Sequence, residues 1–140
     1  MSLLTSGLTR DQAPTYGQYW WWQGASGQWY IHTIEPFSRY LPYDEANYIF
    51  VRRDWTGRCW PIYIGQSSSF GQRLTVHEKF DAAWRLGANE IHVHLLSTGD
   101  RRRFDTETDL RQGQPTALNE QPSMAGGLFG IGARSRLYSV

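Results

Sequence analysis

Cysteine and lysine are almost missing from this 140-residue chain. Cys59 is the single cysteine, which excludes an internal disulfide and any zinc site built from several thiolates, and its thiol is read as inert. No run of about 18 apolar residues occurs, so no membrane-spanning helix is expected. Met1-Ser2-Leu3-Leu4 lacks a basic stretch ahead of an apolar core, so no secretory signal is expected and a cytoplasmic, reducing setting is the default. There is no internal repeat and no long low-complexity linker. Lys79 is the one lysine among 14 basic residues, which face 13 acidic ones for a net charge of +1. That balance is far from the strongly basic class of DNA-binding domains. The excess of arginine still suits bidentate contact with phosphate, although an arginine-preferring codon usage accounts for it equally well.

Aromatic side chains, in contrast, are plentiful: 15% of the chain, including seven tryptophans, supplies apolar area for one folded domain. Tyr19–Trp22 and Trp29–Ile34 flank a Gly/Ser-containing turn and read as a β-hairpin. Asn47–Arg52 and Trp60–Ile64 are two further strands around a turn at Trp55-Thr56-Gly57-Arg58. Next come a helix reaching about Lys79 and capped by Ser68 or Ser69, and a short segment Ala82–Leu86 started by Asp81 and stopped by Gly87. The alternating strand Ile91–Leu96 precedes a polar helix from Asp100 to about Gln112. The expected fold is therefore α/β (α+β): a three-stranded mixed or antiparallel core sheet flanked by helices in the order β-β-α-β-α, with an added N-terminal β-hairpin. The expected boundaries, all within one domain, are 1–45 for the hairpin extension, 46–122 for the core and 123–140 for a glycine-containing tail.

Tyr63-Ile64-Gly65-Gln66-Ser67 ends a strand at a glycine, and Arg73 and His77 follow four residues apart. With Glu107, Pro115 and Asn119 behind them, these residues resemble the GIY-YIG nuclease superfamily over roughly 46–119. The second family motif is intact at Tyr63-Ile64-Gly65, while the first is degenerate, Ala46-Asn47-Tyr48 standing for glycine, isoleucine and tyrosine. The distance from Tyr48 to Tyr63 is longer than the family's usual spacing and implies an enlarged loop over Asp54–Trp60. The resemblance implies a divalent-metal-dependent DNA endonuclease in which Glu107 binds one Mg²⁺ or Mn²⁺ and Arg73 holds the scissile phosphate. It further implies Tyr48 as the base for water, Tyr63 and His77 as helpers in the proton network, and Gly65 and Asn119 as structural support. DNA is the implied partner, with a protein partner or a second copy of the chain as further candidates. Two other readings compete: a catalytically silent domain that binds nucleic acid or protein, and an unrelated interaction domain built on the tryptophan-rich hairpin.

Three features outside this motif carry weaker signals. His92 and His94 share a strand face and suit either a metal pair or a half-buried sheet. The aromatic hairpin offers stacking surfaces for unpaired bases or an apolar face that packs. Arg101-Arg102-Arg103 reads equally as a phosphate track or a solvated charge run.

Overall fold

The structure, a computed structural model, describes residues 18–119. The irregular N-terminal segment and the C-terminal tail expected from sequence lie outside the described residues. The elements are β1 Tyr19–Gln23, β2 Trp29–Pro36, β3 Ala46–Arg53, β4 Cys59–Ser67, α1 Phe70–Thr75, α2 Phe80–Arg85, β5 Glu90–His94 and α3 Asp100–Gly113.

The expected three-stranded core with an added hairpin is not what forms. All five strands join one curled antiparallel sheet, a half-barrel, in the order β1-β2-β5-β3-β4. The cause lies in β2, whose residues Thr33 to Pro36 pair with Val93 to Glu90 of β5. That pairing places Tyr30, His32 and Ile34, all buried, on the same sheet face as His92 and His94. An appended hairpin would have left this row in water. The alternation of β2 is thus satisfied only by its being an interior strand.

Both hairpin turns close alike. Gly27 at φ +93° and Gly57 at φ +89° take the left-handed position, and their amides bond back to the carbonyls of Gly24 and Asp54. In the second turn Asp54 also accepts from the Thr56 and Arg58 amides, the Thr56 hydroxyl and the Trp60 indole. The long spacing between the two tyrosines is therefore taken up by longer strands and a compact turn. The expected enlarged loop is absent. A register shift after Phe50 leaves Ile62 between the paired residues Pro61 and Tyr63, which turns both Ile62 and Tyr63 toward one core.

Two apolar clusters cover the two sheet faces. Tyr48, Phe50, Ile91 and Val93 meet Phe70 and Leu74 of α1 and Ala83 of α2, whereas Trp22, Tyr30, Ile49, Val51 and Ile64 meet Leu110 of α3. Helix α1 ends at Thr75, short of the expected Lys79, so His77 lies in the turn before α2, where its amide bonds the Leu74 carbonyl. Neither serine caps α1 through its side chain. The carbonyls of Asp44 and Tyr43 accept the Phe70 and Gly71 amides instead, an approach so close that a Cβ on Gly71 would lie 2.9 Å from the Leu41 carbonyl oxygen. Asp81 does not cap α2, which starts after Lys79; it pairs with Arg39.

The first hairpin is clamped to α3. Asp109 accepts from the Ser26 amide at 2.8 Å, the Ser26 hydroxyl at 2.6 Å and the Tyr30 hydroxyl at 2.8 Å. A Cβ on Gly113 would lie 2.6 Å from the Ala25 nitrogen and 2.7 Å from the Gly24 carbonyl carbon. Overpacking against backbone costs about 1–3 kcal/mol, more than the roughly 1 kcal/mol of helix propensity that alanine gains at best. Gly113→Ala should accordingly lower the urea midpoint and loosen the hairpin. A midpoint at or above wild type would show that this contact is not tight. Among the described residues no helix is long and apolar enough to cross a membrane.

Candidate functional site

Tyr48 and Tyr63 approach each other because their strands pair Tyr48 with Gly65 and Phe50 with Tyr63. The glycine is a steric requirement. A Cβ at Gly65 would lie 2.6 Å from both the Tyr48 ring carbon Cζ and its hydroxyl, and 2.9 Å from the Tyr63 ring. Tyr48 stacks on Phe70 at 4.3 Å between centroids and is 1% exposed, while Tyr63 stays partly open to solvent. The His77 ring meets Tyr63 edge-on at 5.1 Å.

A hydrogen-bond chain fixes the histidine tautomer. The Lys79 amide donates to His77 Nδ1 at 3.1 Å, so the neutral ring carries its proton on Nε2 and donates it to the Tyr48 hydroxyl oxygen at 2.7 Å. Burial, with Arg73 nearby, lowers the His77 pKa to about 4 and keeps the ring neutral at pH 7. Burial also pushes the Tyr48 phenol far above its usual value, helped by Tyr63 and opposed by the Arg73 charge. Tyr63 is raised by burial and by Glu107, with Arg73 again opposing.

Glu107 comes from α3, and its charge is felt by both tyrosines. Burial raises its pKa, and the cation acting on it is Arg111, 4.0 Å away on the next helical turn. Arg73 holds Glu78 at 2.7 Å, and Glu78 is mostly exposed. Asn119 takes the place of a neighbouring strand for the edge strand β4: its Oδ1 accepts the Ile64 amide and its Nδ2 donates to the Ile64 carbonyl. Arg73, His77 and Glu107 thus each act on the Tyr48–Tyr63 pair, Glu107 through its charge alone, and Gly65 and Asn119 belong to or bond the same strand. A partly buried carboxylate with a distant cation partner, beside phenols and a guanidinium, fits a hard divalent ion that takes oxygen ligands and keeps its waters.

The sequence reading missed several partners. Glu78, five residues after Arg73, gave no signal of its own. Arg103, the third of the arginine run, is buried; it bonds Gln66 at 3.0 Å and reaches Glu45 and Asp100, while its carbonyl accepts from Asn47. It ties α3 to β3 and β4 and so positions Glu107. Arg101 and Arg102 remain exposed.

The two strand histidines are structural. His92 accepts the Trp22 indole N–H at Nδ1 and gives its Nε2 proton to Glu90, which also binds Arg53 at 2.8 and 3.1 Å. Ligand atoms of Cys59, Glu90 and His92 lie within 4.8 Å of one another. Both nitrogens of the ring are committed, however, and a metal there would have to displace Arg53. Burial raises the Cys59 thiol pKa to about 12, which removes thiolate at neutral pH. His94 bonds the Ile31 carbonyl and Ser97. No family model, curated protein or solved structure matches this chain.

Proposed function

We propose that the chain is a divalent-metal-dependent DNA endonuclease with a GIY-YIG-type site. The supporting observation is that Tyr48 and Tyr63, on two paired strands, have His77 in contact and feel the charges of Arg73 and Glu107, which come from two different helices. Glu107 would hold the ion, which supplies charge neutralisation at the phosphate. Arg73 exchanges the exposed Glu78 for a non-bridging phosphate oxygen, since a dianionic five-coordinate phosphorus is the stronger partner. Tyr48 removes the proton of the attacking water as the new P–O bond forms. As a phenolate it would accept the His77 Nε2 hydrogen bond and feel Arg73; burial outweighs Arg73 in the metal-free chain, so the remaining stabilisation would have to come from the ion held by Glu107. The P–O bond to the leaving oxygen breaks as the new one forms, and Tyr63, the more open phenol and a neutral one, gives that oxygen a proton.

The test is nicking of supercoiled plasmid with Mg²⁺ or Mn²⁺, which EDTA should stop. Arg73→Ala should slow it by about 10² to 10³ with an unchanged far-UV spectrum. The pairing of Arg73 with Glu78 favours a second reading, a silent domain that binds nucleic acid without cutting. DNA binding with no nicking at any metal concentration would select that reading.

A further inference from the structure

Beside α3, on the side away from β4, lies a cleft of about 440 Å³. That size falls within the range of small-ligand pockets. Trp21 and Trp29 line it and are 54% and 55% exposed. The two half-open indoles share the hairpin face opposite Trp22 and Tyr30, and Tyr30 reaches the cleft at the strand edge. The polar lining comes from Arg102, Asp105 and Thr106 of α3, from Gln28, and from Ser97 with His94 bonded to it at 3.0 Å. Ser97 and Thr106 bond each other at 2.7 Å, and the Asp109 clamp holds the hairpin turn against the same helix. The cleft is therefore formed before any ligand arrives, which lowers the ordering cost of binding.

We infer that this cleft receives one unpaired nucleobase of the DNA whose backbone is cut beside Glu107. The inference rests on the nuclease reading. Flat aromatic walls suit the π-face of any base, and hydroxyls with a carboxylate suit its polar edge. Arg102 lines the cleft and has no acidic partner among the described residues, so it can meet the phosphate of the same nucleotide; Arg101 is instead drawn to Asp105 at 3.4 Å. Arg102 and Glu107 are five residues apart on one helix, about 7.5 Å along its axis and about 140° apart around it, so the DNA strand crosses α3 between the cleft and the carboxylate. A paired base keeps its face covered by the stack and cannot enter. The cleft would thus direct cutting to bulges, flaps or single-stranded junctions.

Fluorescence anisotropy in EDTA separates binding from cutting. The probes are a short fluorescein-labelled duplex with one unpaired thymine and the same duplex fully paired. Wild type should bind the bulged duplex at least about tenfold more tightly. Trp21→Ala with Trp29→Ala should remove that preference, Trp29→Phe should keep most of it, and Arg102→Ala should weaken the bulged duplex more than the paired one. All three positions are exposed, and far-UV circular dichroism checks that each variant folds. Equal wild-type affinity for the two duplexes, or a preference that survives loss of both indoles, overturns the inference. Plasmid nicking without bulge preference would leave the nuclease standing and remove the cleft; bulge-selective binding without nicking would do the reverse.

Discussion

Glu107→Gln is expected to abolish metal-dependent nicking, by a factor of at least about 10³, without lowering the unfolding midpoint. The activity term follows from the donor set. Among the residues gathered at the tyrosine pair, Glu107 is the half-buried carboxylate, and Arg111 stands 4.0 Å away. Loss of a single electrostatic contact to a developing charge already costs about 10² to 10³, and losing the ligand also removes the ion. The stability term has the opposite sign. Burial raises the Glu107 pKa, so folding pays to hold this carboxylate ionised at neutral pH. A neutral amide of the same shape removes that cost. Falling activity with steady or rising stability is the mark of a side chain kept for chemistry. Glu107→Ala should lose the same activity. Full nicking by either variant would remove Glu107 from the site and the nuclease reading with it.

Strand positions were legible from local pattern: Tyr19–Gln23 and Trp29–Pro36 lie where alternation and aromatic residues place them, while β5 runs Glu90–His94 and stops short of the expected Leu96. Their association was not. Which strand accepts the second edge of β2 is decided by Thr33 meeting Val93 across some 60 residues, and no local period encodes that. The site residues were named from spacing and order, including Tyr63, Arg73 and Glu107. Their restraints came only from three dimensions. Asn119 pairs with Ile64, Arg103 is drawn into a buried network, and Asp109 reaches back to Ser26. His77 illustrates the limit most clearly. A helical register put it one turn after Arg73, but α1 stops at Thr75 before the β-branched Val76. The turn, and the Lys79 amide within it, then orient the ring toward Tyr48.

Stability should fall between pH 6.5 and about 4. All four histidines of the chain are buried, and burial lowers the pKa of each. His32 is held between the Tyr30 carbonyl and the His94 ring, with no partner for its Nε2 among the described residues. A histidine with a depressed folded pKa adds nothing unfavourable above 6.5, where both states are neutral. Below 6.5 the unfolded chain gains protons that the folded chain refuses, and stability falls until the folded pKa is reached. His77 alone, moved from 6.5 to about 4, accounts for about 3 kcal/mol at the bottom of that window. Typical domains have only about 5–15 kcal/mol in total, so His77 alone removes a sizeable share, and the other three rings act in the same direction. Glu90, with its folded pKa near 2 under Arg53 and His92, adds a further loss below 4.5. Glu107 opposes the trend, because its raised pKa gains stability on protonation, but one half-buried carboxylate cannot offset four imidazoles. Urea midpoints measured from pH 7.5 to 4.5 should fall steeply below 6.5, with uptake of more than one proton on unfolding. His77→Gln should flatten the slope by close to one proton, since glutamine retains a donor for Tyr48 and cannot titrate. A flat profile across this range would mean that the buried rings are protonated in the folded state, and the neutral tautomers assigned to His77 and His92 would then be wrong.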